Sequence, residues 1–217
     1  MKPSTLLFLA AAALSAGFAI AAVVRNDRAG TYVFKPLTTF IVLLGAAFLV
    51  QPGAQPYRAL VVAGLACSLA GDVLLMLPRD RFAAGLGAFL LAQLAYLAAF
   101  SVGGPPAGAV PAALLPFAAA AGGVVAAVWR ALGRLRIPVA GYAVALAAMG
   151  WRAAARGWAP GVGRASFLLA LAGACLLLTS DALLAVRRFR HPSRLAHAVE
   201  LGVYWTAQVM IALSVRT

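Results

Sequence analysis

Runs of about twenty consecutive apolar residues recur from one end of this chain to the other, separated by short clusters of Arg, Pro and Gly. Each run is long enough to cross a hydrocarbon layer about 30 Å thick as a helix rising about 1.5 Å per residue. With 64% hydrophobic residues against 11% charged ones, a water-soluble globule of 217 residues would have no means of covering its apolar surface. The chain therefore reads as an integral membrane protein. Backbone groups in lipid must be satisfied internally, and the period-two alternation of an outer-membrane barrel is absent, which leaves helices.

The expected fold is all-α, a polytopic membrane helix bundle of about eight transmembrane helices forming a single domain over 1–217. The spans are expected at 4–24, 36–50, 59–78, 82–103, 107–129, 137–151, 164–186 and 195–215. The second and sixth are the shortest and must tilt or extend into their flanks. Pro111, Pro116 and Pro138 are expected to start or kink their helices. The first run follows Lys2 and outlasts the ~7 to 15 apolar residues of a signal-peptide core, so it reads as a retained span.

Lys and Arg gather in cytoplasmic loops, whereas acidic residues hardly influence topology. The connections after the first, third, fifth and seventh spans carry Arg25, Arg28, Lys35, Arg79, Arg81, Arg130, Arg134, Arg136, Arg187, Arg188, Arg190 and Arg194, twelve of the 18 basic residues. The other side carries Lys2, Arg58, Arg152, Arg156, Arg164 and Arg216. Both termini are accordingly expected outside, with the four basic connections in the cytoplasm and the chain in a bacterial inner membrane. A formal charge of +13 spread over short loops, with no compact basic domain, argues against nucleic acid and for contact with anionic head groups of the bilayer.

Cys67 and Cys175 lie within spans and read as small packing residues without a disulfide. His191 and His197 alone do not make up the three protein ligands of a catalytic zinc, and neither a metal site nor any other cofactor is spelled out. Gly85 and Gly87 in GLGAF read as helix-contact glycines rather than a phosphate cradle.

Against this background, two of the chain's five acidic residues sit inside apolar runs: Asp72 in ACSLAGDVLLMLP and Asp181 in ACLLLTSDALLAV. An Asp at the centre of a spanning helix costs about 2.5 to 3.5 kcal/mol on insertion scales, and such residues face a bundle interior or a wet cavity. Both lie within roughly 10 Å of the basic-loop face at the helical rise. Lys35 starts the second span on that face. Glu200, Tyr204 and Gln208 follow one another at i, i+4 and i+8 on the last span, and Gln93 and Tyr96 occupy neighbouring turns of the fourth. The expectation is one water-accessible chamber in the cytoplasmic half of the bundle where the two carboxylates meet. Plainer readings stand beside it: interhelical hydrogen bonds for the Gln and Tyr residues, a pairing of Glu200 with His197 or a loop Arg, and a snorkelling or ion-paired Lys35.

Lys35-Pro36, Gly71-Asp72 in GDVLLM, the run FAAGLGAFLLAQLAYLAAF from Phe82 to Phe100, Ser180-Asp181 in TSDALLA and YWTAQVMIALS from Tyr204 to Ser214 together resemble the YhhN family of membrane proteins, which includes eukaryotic lysoplasmalogenases. Family members often carry His where this chain has Gln93 and a second Tyr where it has Trp205. The resemblance implies hydrolysis of the vinyl ether bond of a lysophospholipid of the lysoplasmalogen type, yielding a fatty aldehyde and a glycerophospho-head group. Such chemistry needs a proton donor and a carboxylate that stabilises a cation or activates water, as in glycosidases. Asp72 and Asp181 are the expected catalytic pair. Lys35, with Arg79 or Arg81, is expected to hold the phosphate, while Gln93, Tyr96, Ser180, Glu200, Tyr204 and Gln208 line the substrate site. A different class is a proton- or cation-coupled transporter or lipid carrier; the loose similarity of ACSLAGD to ACLLLTSD, half a chain apart, is the kind of pattern that an internal duplication leaves in many transporters, and a duplication is equally compatible with an enzyme.

Overall fold

The computed structural model describes residues 3–49, 55–78, 81–105 and 110–215. Lys2, Arg79 and Arg216 from the charge count, and the expected span ends at 50 and 107–109, lie outside the described residues. Among those described there are eight α-helices and no strand. They are α1 Pro3–Arg25, α2 Arg28–Leu44, α3 Gln55–Met76, α4 Phe82–Ser101, α5 Leu114–Val128, α6 Arg136–Ala155, α7 Arg164–Phe189 and α8 Arg194–Leu213. The chain is a polytopic helical bundle, as the apolar runs require.

Local signals set the ends. The turn after α1 places Asn26 at φ 58, and Asp27 then caps α2 by accepting a hydrogen bond from the Gly30 amide at 3.1 Å. This cap moves the start of α2 eight residues ahead of the expected position, so Lys35 and Pro36 lie within the helix rather than at its entrance. A π-helical segment, Gly45–Leu49, completes the span. Pro111 opens a 3-10 turn, Pro111–Ala113, that leads into α5. Ser193 caps α8 through the Ala196 amide at 3.3 Å.

Successive helices pair as antiparallel hairpins, and the hairpins are joined through α2 with α3, α4 with α6, and α6 with α7. α8 closes against α1 and α2, so seven helices form a ring and α5 packs outside it on α6 and α7. Leu7, Leu14, Phe18 and Leu115 point outward as bare apolar surface suited to lipid. Among the described residues, seven helices are long and apolar enough to cross a membrane. The expected eighth span, α8, is long enough too, but its His, Glu and Gln residues reduce its apolarity; neighbouring helices bury Glu200 and Gln208.

Candidate functional site

The expected polar residues collect inside the ring at the end where the basic connections lie. Asp72, on the last turns of α3, is 1% exposed. Its Oδ1 pairs with Lys35 Nζ at 3.3 Å, and its Oδ2 accepts from Thr39 Oγ1 at 2.6 Å and from the Tyr204 hydroxyl at 2.9 Å. Lys35 and Thr39 are one helical turn apart on α2, so the early start of that helix is what aims both at α3. Trp205 Nε1 donates in turn to Thr39 Oγ1 at 3.1 Å. Lys35 is thus a buried ion-pair partner and does not snorkel.

Asp181 occupies a second, neighbouring cluster. Its Oδ2 accepts from the Tyr142 hydroxyl at 2.6 Å and from Gln93 Nε2 at 3.3 Å. Gln93 Nε2 also donates to the Tyr142 oxygen at 3.0 Å, while Gln93 Oε1 is buried with no donor facing it. Asp181 is half-buried and meets no cation among the described residues. It borders narrow apolar recesses on both sides of Tyr142, one of them lined by Leu75, Phe89 and Phe189. α7 extends three residues past its expected end, which places Asp181 about 12 Å from that terminus at the helical rise.

The two carboxylates share no hydrogen bond, and the single wet chamber expected from sequence is divided. Phe89 walls the recess beside Asp181, and its ring meets Tyr204, the donor to Asp72, edge-on at 6.0 Å. Deeper in the bundle, Tyr96 donates to Gln208 Oε1 at 2.7 Å and Gln208 Nε2 donates to Ser68 Oγ at 3.1 Å. That relay ties α4, α8 and α3 together, with both side chains fully buried. Ser180 Oγ donates to the Glu200 carbonyl at 3.3 Å, holding α7 to α8. The Glu200 carboxylate is gripped at both oxygens by Arg187, at 2.5 and 3.3 Å. This is the loop-Arg pairing, with the difference that Arg187 belongs to the last turn of α7.

Outside the Lys35–Asp72 pair opens a cavity of about 500 Å³, with Arg28, Lys35, Arg187, Arg194 and His197 among its walls. Of the cations expected to hold a phosphate, Lys35 lines this cavity, Arg81 is exposed and not among its walls, and Arg79 lies outside the described residues. Leu75 borders both this cavity and the apolar recess of Asp181, so the two lie on either side of one side chain. Sequence reasoning missed Thr39, Tyr142 and Arg187. A tyrosine at the depth of Asp181 in the sixth span was a readable signal; Thr39 carried none, because threonine is ordinary in a spanning helix. Cys67 and Cys175 are free thiols, and among the described residues no three His, Cys, Asp or Glu side chains come together.

Fold and site together define a multi-pass helical membrane protein with buried carboxylates behind a cationic vestibule. The sequence model of the YhhN family matches residues 30–215, a range that holds every residue of both clusters, and the chain belongs to that family. Proteins named "Uncharacterized membrane protein YhhN" from Escherichia coli O6:H1, Escherichia coli O157:H7 and Shigella flexneri are each 31% identical to it over 210 residues, covering 94% of this chain and 96% of theirs. No solved structure matches significantly.

Proposed function

We propose that the protein is a lysoplasmalogenase-like hydrolase that cleaves the vinyl ether bond of lysoplasmalogens by carboxylate acid/base catalysis, without a cofactor. The observation that carries this reading is the junction at Leu75, where a cationic cavity suited to a phosphate head group adjoins an apolar recess edged by a carboxyl group. A lysophospholipid is built the same way, with the scissile bond between its charged and apolar parts. The recess, at about 50 Å³, is too small for a whole chain, so the tail continues into the bilayer.

Asp181, with no cation beside it among the described residues, donates a proton to the alkene carbon remote from oxygen, giving an oxocarbenium ion. Water adds to the carbon next to oxygen, and its proton reaches Asp72, the carboxylate paired with Lys35, by way of the Tyr204 hydroxyl that donates to it. The hemiacetal then collapses: the glycerol oxygen leaves with the proton from Asp72, the hemiacetal hydroxyl returns its proton to Asp181, and free aldehyde remains. Tyr142 and Gln93 orient Asp181, and Tyr204 orients Asp72.

General acid/base groups contribute roughly 10²- to 10⁴-fold, so Asp181→Asn and Asp72→Asn are each expected to lose at least about 100-fold in aldehyde release by purified protein in detergent. Wild-type rates in either variant, shown folded by size-exclusion chromatography, would remove the assignment. One observation favours a second reading. Asp72 and Asp181 stand at the same step of α3 and α7, each seventeen residues after the helix start, as in a carrier built from duplicated halves. A carrier would move intact lipid or protons across sealed vesicles and release no aldehyde.

A further inference from the structure

At the end of the bundle away from both aspartates, Arg152 and Arg156 are buried, 6% and 5% exposed, with no carboxylate partner among the described residues. Arg152 donates to Ser101 Oγ at 3.0 Å and to the Pro105 carbonyl at 2.9 Å, and its Nη1 has no acceptor. The Arg156 guanidinium lies 4.3 Å over the Tyr57 ring and donates to Ser166 Oγ at 3.2 Å, while its Nε is buried without an acceptor. A buried cation with only neutral partners is costly unless an anion joins it.

Arg156 lines a cavity of about 160 Å³ together with Tyr57, Gly161, Gly163, Ser166 and Ser214. Gly163 immediately precedes α7, whose first turn has no side-chain cap, so among the described residues no side chain accepts from the first amides of this 26-residue helix, which starts at the cavity. Uncapped amides, the positive end of the helix dipole and a guanidinium make an oxyanion site. The Gly161 backbone, at φ 83, turns the chain tightly where it borders the pocket.

We infer that this cavity binds a phosphate-type oxyanion, carried by a lipid head group or free in solution, with Arg156, Ser166 and the first turn of α7 as its ligands. Tyr57 and Asp72 are fifteen residues apart on α3, about 22 Å at the helical rise, so the site is separate from the aspartates and does not rest on the proposed hydrolysis.

Calorimetric titration of the purified protein with inorganic phosphate, and separately with a short-chain phosphatidic acid, tests it. Saturable binding of either is expected, weakened at least tenfold by Arg156→Gln and severalfold by Ser166→Ala, which keeps the charge and guards against a misfolded arginine variant. Arg58→Gln, which removes a half-buried cation at the same end that lies outside the cavity walls, should leave binding unchanged. Binding of phosphate itself identifies the free ion, whereas binding of the lipid alone identifies the head group; both support the site. Failure of both ligands to bind wild type, or undiminished binding by Arg156→Gln and Ser166→Ala, overturns it.

Discussion

Asp72 concentrates the energetics of the site in one side chain. Its charge is held by Lys35 and two hydroxyl donors in a place with almost no exposure to water. Removing one partner of a buried ion pair leaves the other uncompensated, at a cost of about 3–5 kcal/mol. Lys35→Met is therefore expected to lower the unfolding temperature in detergent markedly, and Lys35→Met combined with Asp72→Asn should recover much of the loss. Thr39→Val keeps the shape and removes one donor, and its expected cost is about 1–3 kcal/mol. The same thermal scans check both. The aspartate and its lysine were legible as residues out of place in an apolar chain; their partner Thr39 was not, because its role comes from one helical turn of spacing and a facing helix.

α3 and α7 are built alike. Each carries a glycine nine residues from its start and an aspartate eight residues later, and each packs against the helix that follows it. A Cβ on Gly173 would stand 3.0 Å from the Ala207 carbonyl and 3.2 Å from the Ile211 amide, both backbone atoms of α8. Gly173→Ala must move α8 and is expected to cost about 1–3 kcal/mol, whereas Gly123→Ala on α5 meets nothing within 4 Å and should be neutral. Thermal unfolding of the two proteins side by side decides this. The start of α2 shows the limit of reading elements from apolar runs. Asp27, Arg28 and Thr31 look like a loop by hydropathy, yet the Asp27 cap carries the helix through them and so turns Lys35 inward.

For the whole molecule, the basic connections predict that both ends of the chain lie outside and that the vestibule beside Lys35 opens to the cytoplasm. Alkaline phosphatase fused after Thr217 should be active and a fluorescent reporter there dark; the reverse result inverts the assignment. The length and frequency of apolar runs, without the period-two alternation of a barrel, determined by themselves that this chain is a helical membrane bundle, because helices and closed barrels alone satisfy the backbone in lipid. The two buried acids likewise marked the end of the bundle that holds its polar groups. Only tertiary packing decided that Phe89 stands against Tyr204 between the two clusters, that Arg187 neutralises Glu200, and that Arg156 faces a cavity with no carboxylate partner among the described residues. Those facts depend on which faces of distant helices meet, and sequence periodicity records the face of a helix without recording its neighbour.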